Sequence, residues 1–70
     1  MSKVNVYLAD GFEEVEGLTV VDLLRRAGIE TDMVSIMGRK EITGARKIPV
    51  LADKLFEEQD DPDVIVLPGG

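Results

Sequence analysis

The chain has 70 residues, of which 44% are hydrophobic and 31% are charged, and its formal net charge at pH 7 is -6. This composition is typical of a globular segment, and the net negative charge argues against a nucleic-acid partner, which favours a basic face. The sequence has no Cys and no His, which excludes disulfides and zinc-finger spacing and removes the side chains most used for nucleophilic and general-base catalysis near neutral pH.

The first predicted element is a strand over residues 3–9. It contains β-branched and aromatic side chains and ends at the turn signal Asp10-Gly11. Its apolar run is too short for a signal peptide or a membrane span. We therefore expect no membrane partner and a cytoplasmic location.

A helix is predicted next, with acidic residues in its first turns and Arg25 and Arg26 in its last turn, both of which complement the helix dipole. Gly28 is suited to the left-handed conformation that often ends a helix. The apolar positions cover more than one stripe of this helix. We therefore expect two buried faces, one against the sheet and the other against the same domain or a second subunit.

The second half of the chain predicts several shorter elements. Residues 31–37 alternate as a strand, and the short connections predict a right-handed parallel crossover from the first strand. Residues 38–50 are typical of a small antiparallel hairpin, in which Pro49 requires an edge position. Asp53 can cap a short helix over residues 54–58.

The predicted fold class is α/β, the first half of a doubly wound parallel sheet with the order β-α-β-hairpin-α-β. The crossovers place the first strand in the middle and the last strand, residues 64–67, beside it. The run VIVL is suited to a central strand that is covered on both faces, and its outer edge would be left bare. We therefore expect the fold to continue beyond Gly70.

The candidate site lies where residues 9–16 and 67–70 are expected to converge, at the carboxyl ends of two parallel strands. The first of these segments lacks the spaced glycines of a dinucleotide motif and the Lys of a P-loop. Its three glutamates would also repel a phosphate from the helix N-terminus. We expect neither a phosphate nor a dinucleotide ligand there, and no metal.

The three glutamates need not share one role. On a helix, Glu13 and Glu14 can face water, whereas Glu16 falls on another side and can turn toward the strand ends. A carboxyl group buried there would have its pKa raised and could act as a hydrogen-bond donor or a general acid and base. Alternatively, all three simply stabilise the helix N-terminus.

Four further residues have two interpretations each. Gly69-Gly70 is either a flexible turn or a backbone segment whose amides bind substrate and a developing oxyanion. Arg46 either binds an anionic group of a substrate or is a solvated residue that protects a strand edge. Asp22, in the helix, is either paired with a nearby Arg or part of an interface.

Taken in order, the segments ADGFEEVE, VDLLRRAGI, TGAR and DVIVLPGG resemble the ThiJ/PfpI family over the whole 70 residues. The resemblance implies a flavodoxin-like fold, usually a homodimer, of roughly twice this length or more. Residues 1–70 would then be the N-terminal half of a single domain, and the remainder of that domain would be a partner of this chain.

The resemblance also implies residue roles. Glu16 corresponds to a buried glutamate that hydrogen-bonds a reactive cysteine, and Gly70 corresponds to a glycine whose amide helps to bind an oxyanion. Arg46 matches an arginine at the anion-binding mouth of the pocket in the dimer. The helix with Asp22 and Arg26 matches the one at the dimer interface.

The family's cysteine nucleophile and its histidine are absent from this sequence. The resemblance implies a cofactor-independent glyoxalase, deglycase or hydrolase that acts on a small reactive carbonyl compound, and chaperone or stress-response roles are also ascribed to the family. We expect these 70 residues alone to be inactive.

Two other functions are open. The chain could be a small non-catalytic binding or chaperone module, which would unfold cooperatively by itself. It could also be a receiver domain, which shares the topology and the acidic loop. A receiver requires an acidic residue after its third strand, where this chain has Pro68-Gly69-Gly70, so the receiver function is disfavoured.

Overall fold

The structure is a computed structural model, which describes residues 2–70. It has six strands, one α-helix and one 3₁₀ turn: β1 Lys3–Leu8, α1 Glu14–Arg26, β2 Glu30–Ser35, β3 Glu41–Thr43, β4 Pro49–Leu51, β5 Lys54–Leu55, the 3₁₀ turn Phe56–Glu58 and β6 Val64–Val66. Within the described residues, the single helix is too short and too polar to cross a membrane.

The main sheet has four parallel strands in the order β5-β2-β1-β6. Val4 of β1 pairs with Thr31 of β2 on one side and with Val64 of β6 on the other. This confirms the predicted parallel α/β sheet with the first strand in the middle. The predicted hairpin is also present, as a separate two-stranded sheet of β3 and β4 with Pro49 on an edge.

Helix α1 covers one face of the main sheet. The β1 side chains Val4, Val6 and Leu8 are buried beneath it, and Phe12 and Val21 join the same core. This packing is expected because alternate residues of a strand point to the same face, and the most apolar set of β1 faces the helix.

The ends of α1 follow local sequence signals. Glu13 precedes the helix and accepts a hydrogen bond from the Val15 amide. Gly28 follows it with φ +78, as predicted for a left-handed helix terminus. The outer face of α1 is exposed, with Val15 70% and Leu23 59% accessible. The expectation of a second covered face is therefore not met by residues 2–70.

The predicted helix over residues 54–58 is wrong. Lys54–Leu55 is the edge strand β5, and only the following 3₁₀ turn is helical. Asp53 caps no helix: its carboxylate accepts hydrogen bonds from the Met33 amide at 2.8 Å and from Arg25 at 2.7 Å. These contacts with β2 and α1 outweigh a weak local preference for helix.

The second face of the sheet is polar at its amino end. The Lys3 side chain is 9% exposed, and its ammonium lies 2.6 Å from Asp32 and 3.3 Å from Glu30. The hydrogen bond to Asp32 raises the pKa of Lys3 although burial opposes the shift. Lys54 also binds Asp32 and Asp60, at 3.0 and 2.6 Å. This cluster fixes the segment after β5 over the sheet.

Candidate functional site

A cleft of about 300 Å³ lies at the carboxyl ends of β1 and β6. The loop of residues 9–12 forms one wall and residues 67–70 form the other, with Tyr7 and Ile36 beside them. Two parallel strands that end at the same edge of a sheet bring the following loops together. The structure thus brings together the two segments that the sequence places at this edge.

Direct hydrogen bonds join the two walls. The Glu13 amide donates to the Gly69 carbonyl oxygen at 2.6 Å, and the Gly69 amide donates to Glu16 Oε1 at 2.9 Å. The first turn of α1 therefore binds the Gly-Gly turn through both polar groups of Gly69. This bonding leaves little freedom for the flexible turn that was one interpretation of Gly69-Gly70.

Glu16 points toward the strand ends, as one of the hypotheses required. Its side chain is exposed rather than buried in residues 2–70, and its carboxylate acts as a hydrogen-bond acceptor. The catalytic role of Glu16 stays a prediction, because its chemistry depends on what covers it.

The prediction that Glu14 faces water is wrong. Glu14 is only 5% exposed, and its Oε2 accepts hydrogen bonds from the Arg46 amide at 2.7 Å and the Ile48 amide at 3.4 Å. Burial alone would raise the pKa of Glu14, but donors that include these two amides outweigh it and hold the pKa below its ordinary value. Glu14 is therefore a buried, ionised carboxylate.

Helix stabilisation alone does not explain all three glutamates. Glu13 caps α1, Glu14 binds the turn between β3 and β4, and Glu16 binds the turn after β6. The sequence carries no signal that separates them, because the partners of Glu14 and Glu16 lie about 32 and 53 positions away along the chain.

The two glycines of the final turn differ in the room they have for a side chain, because the exposed Glu16 side chain can move away from a Cβ on Gly69, whereas backbone atoms block a Cβ on Gly70. A Cβ on Gly69 would lie 2.9 Å from Glu16 Oε1, and a Cβ on Gly70 would lie 3.0 Å from the Phe12 Cα. The backbone of Gly70 packs directly on the loop after β1, and its N–H meets no acceptor within residues 2–70. A free amide donor at this position is the group that an oxyanion requires.

Arg46 does not line this cleft. Its side chain is 71% exposed, and its guanidinium lies 3.9 Å from Glu13 Oε2. Asp22 accepts a hydrogen bond from Arg26 Nε at 3.1 Å, and both side chains are exposed on the outer face of α1. The interpretation of Asp22 as one member of a local ion pair is confirmed, whereas a role in an interface stays a prediction.

Asp10 makes contacts with the hairpin that the sequence did not reveal. Its Oδ1 accepts a hydrogen bond from the Thr43 amide at 3.1 Å, and its Oδ2 forms an ion pair with Arg39. The Thr43 amide, together with Arg39, holds the pKa of Asp10 below its ordinary value. Across residues 2–70, no three acidic side chains converge as a metal ion would require.

The cleft thus offers a backbone donor, Gly70, and the acceptor carboxylate of Glu16 lies next to it, bound to the Gly69 amide in the cleft wall rather than lining the cleft itself. A carboxyl group of this kind can exchange a proton with a reacting group, and the amide can stabilise negative charge on a carbonyl oxygen. Neither group is itself a nucleophile of the thiol type, and the sequence contains no cysteine.

The model of the DJ-1/PfpI family matches residues 2–70. Protein dj-1beta of Drosophila melanogaster is 39% identical over 67 residues, which cover 93% of this chain and 36% of that protein. A deglycase of Thermococcus kodakarensis is 37% identical over 70 residues, with 97% of this chain and 42% of that protein covered.

Among solved structures, a DJ-1 superfamily protein from Salmonella typhimurium has a TM-score of 0.95 and 39% sequence identity. The superposition covers 100% of this chain and 39% of that one. The two structures share the flavodoxin-like α/β fold of the superfamily. In length, the chain spans about two fifths of these three proteins.

Proposed function

Since the chain belongs to the DJ-1/PfpI family, we propose that the protein acts on small reactive carbonyl compounds such as methylglyoxal, with a cysteine outside residues 1–70 as the nucleophile. The observation that carries the proposal is the contact of two neighbouring turns at the strand ends, where Glu16 binds the Gly69 amide and the next residue, Gly70, lines the cleft. The relative named as a deglycase supports this class of substrate. The cytoplasm is the expected location.

Residues 1–70 are proposed to be the N-terminal part of one larger domain. The chain spans only about two fifths of the three proteins compared above, and the outer edge of β6 has no partner strand in the sheet of residues 2–70. Ile65 is 51% exposed and Leu67 74% exposed at this edge. Another strand of the same domain would satisfy the backbone groups of β6 and bury these side chains.

In the proposed mechanism, the cysteine thiolate attacks the carbonyl carbon and the carbonyl oxygen becomes an oxyanion. The amide of Gly70 donates a hydrogen bond to that oxyanion, and Gly69 keeps the turn in place beside it. Glu16, once buried by the rest of the domain, hydrogen-bonds the sulfur and exchanges a proton with the reacting group.

The protein is also proposed to form a homodimer through the outer face of α1. Val15 and Leu23 are exposed on this face, beside the ion pair of Asp22 and Arg26. Arg46 is exposed and lies outside the cleft of its own chain. Its guanidinium would serve the mouth of the pocket in the second copy.

Methylglyoxal consumption by two separately produced parts tests this function. One part is residues 1–70, and the other is the remainder of the domain with its cysteine. The mixture should consume methylglyoxal faster than the remainder alone, and the gain should disappear with Glu16→Ala but persist with Glu57→Ala, which changes an exposed residue of the 3₁₀ turn. No gain over the remainder alone would contradict the proposal.

A chaperone-like binding module is the second candidate. The exposed apolar side chains of α1 and β6 favour it, because such surfaces bind unfolded chains. If the protein has this role, its Glu16→Ala variant should suppress the aggregation of a heated test protein as well as the wild type does. Loss of that suppression together with methylglyoxal consumption would exclude an independent binding role.

A further inference from the structure

The turn between β3 and β4 is attached to the start of α1 through backbone groups. Glu14 Oε2 accepts from the amides of Arg46 and Ile48, and the Ala45 amide donates to the Phe12 carbonyl oxygen at 2.8 Å. Three amides of the four consecutive residues 45–48 therefore bind the start of α1 and the residue Phe12 just before it. The position of the Arg46 backbone is set by the Glu14 carboxylate.

Gly44 makes the approach of this carboxylate possible. A Cβ at residue 44 would overlap the carboxylate of Glu14, although the backbone of Gly44 is not in the left-handed region. The requirement for glycine here is thus one of space and not of conformation. Glu14 and Gly44 form a matched pair, which will be called the hairpin clamp.

A second carboxylate binds the hairpin at the last residue of β3, directly before the turn. Asp10 accepts from the Thr43 amide, and the Gly11 amide donates to the Thr43 carbonyl oxygen at 2.8 Å. The hairpin therefore has two attachments to the loop after β1. Asp10 is partly exposed and paired with Arg39, whereas Glu14 is buried. Water therefore competes less for the hydrogen bonds of the hairpin clamp than for those of Asp10.

We propose that Glu14 is a positioning residue, which acts through the hairpin clamp to hold Arg46 where it can bind the anionic group of a carbonyl substrate. This inference rests on the proposed function, because it takes Arg46 as the substrate-binding cation. The substrate class that it names is a carbonyl compound with a carboxylate, for which glyoxylate is a suitable probe. Glyoxal, which has no charge, is the matched neutral probe.

The physical reason is that Arg46 has no close side-chain contact to orient it. Its nearest carboxylate oxygen is 3.9 Å away, and most of its side chain is in solvent. The position of the Arg46 backbone consequently determines which volume the guanidinium can occupy. If the clamp is broken, the guanidinium samples a wider volume and a charge-assisted hydrogen bond to the substrate is weakened.

The experiment compares KM for glyoxylate and for glyoxal in the complete protein with Glu14→Gln, Arg46→Ala, the double variant and the control Glu41→Gln. Glu41 is an exposed residue of the same hairpin, so its replacement removes a charge without touching the turn. We expect Glu14→Gln and Arg46→Ala each to raise the KM for glyoxylate roughly tenfold or more, with little change in kcat. The double variant should be no worse than Arg46→Ala, and the KM for glyoxal should stay within about twofold in all variants.

Gly44→Ala serves as a second variant if Glu14→Gln fails to fold, because it displaces the carboxylate while keeping its charge. It should raise the KM for glyoxylate as Glu14→Gln does. Equal effects on both substrates, or additive effects in the double variant, would overturn the positioning role while leaving the carbonyl activity intact.

Amide hydrogen exchange separates this inference from the proposed function. Exchange at Arg46 and Ile48 should be faster in Glu14→Gln than in the wild type or in Glu41→Gln. If the wild type consumes neither substrate, the proposed function fails and the substrate-binding role of Arg46 fails with it. Gln keeps one acceptor oxygen, whereas Gly44→Ala displaces the side chain, so unchanged exchange at both amides in both variants would show that the hairpin clamp does not hold Arg46.

Discussion

Glu14 retains its negative charge in a buried position because backbone amides bind its Oε2, although its Oε1 has no hydrogen-bond partner within residues 2–70. A buried carboxylate without donors is costly, whereas one that accepts from two or more amides can be more acidic than in water. Gly44 allows this contact by leaving space that any side chain would fill. The same two residues therefore explain both the burial of a charge and the position of the hairpin.

The stability of the protein should depend on pH through Glu14. Its folded-state pKa is lowered, so its contribution to the free energy of unfolding is complete above the ordinary value and is lost as the pH falls through the lower folded value. We expect the destabilisation caused by Glu14→Gln to be largest near pH 7 and to shrink below about pH 4.5. Urea unfolding at several pH values measures it, with Glu41→Gln as the control. A difference that does not change with pH would contradict an ionised Glu14.

At the scale of elements, helix α1 illustrates how far local sequence determines structure. Its start at acidic residues, its end at Gly28 and its apolar face toward β1 all follow from short-range signals, and all are present in the structure. Strand β5 illustrates the opposite case. It is only two residues long, and the contacts of Asp53 and Lys54 with distant residues decide its conformation.

The candidate site also has features that follow from the sequence and features that depend on contacts between distant residues. Convergence of the loops after β1 and β6 follows from strand order alone, so the sequence predicts it. The separate roles of Glu14 and Glu16 do not follow, because each depends on a partner from another element. The role of Gly44 was hidden for the same reason, since a glycine in a hairpin ordinarily indicates a turn conformation.

The end of α1 provides a test at this scale. Gly28 has φ +78, and a Cβ there would have no atom within 4 Å, so Gly28→Ala changes only the backbone energy. We expect it to destabilise the protein by about 1–2 kcal/mol. Gly28→Asn should cost less, because Asn tolerates the left-handed conformation. Thermal unfolding measures the stability of both variants. Equal stability of the Ala variant and the wild type would contradict the left-handed conformation of Gly28 at the end of the helix.

At the scale of the whole molecule, two of the apolar surfaces that the described residues leave uncovered bear on assembly. One is the outer face of α1, and the other is the free edge of β6. We propose that a second copy of the protein covers the outer face of α1. The rest of the domain would cover the free edge of β6. The different chemistry of the two surfaces supports this division, because a strand edge needs backbone partners and a helix face does not.

The dimer is tested by Leu23→Arg, which places a charge in the exposed apolar face of α1. We expect this variant of the complete protein to sediment as a monomer at concentrations where the wild type is a dimer. Glu57→Gln changes the net charge by the same amount outside that face and should leave the dimer intact. A dimer that persists in Leu23→Arg would place the interface elsewhere.

The most direct test of the proposed function is the rate of methylglyoxal consumption by the complete protein with and without Glu16. The proposal predicts a roughly 100-fold loss in Glu16→Gln, because a positioned acid-base group typically contributes at least that factor. Glu57→Gln should retain the wild-type rate. An undiminished rate in Glu16→Gln would contradict the catalytic role of Glu16 and the assignment of the catalytic site to the two turns that it joins.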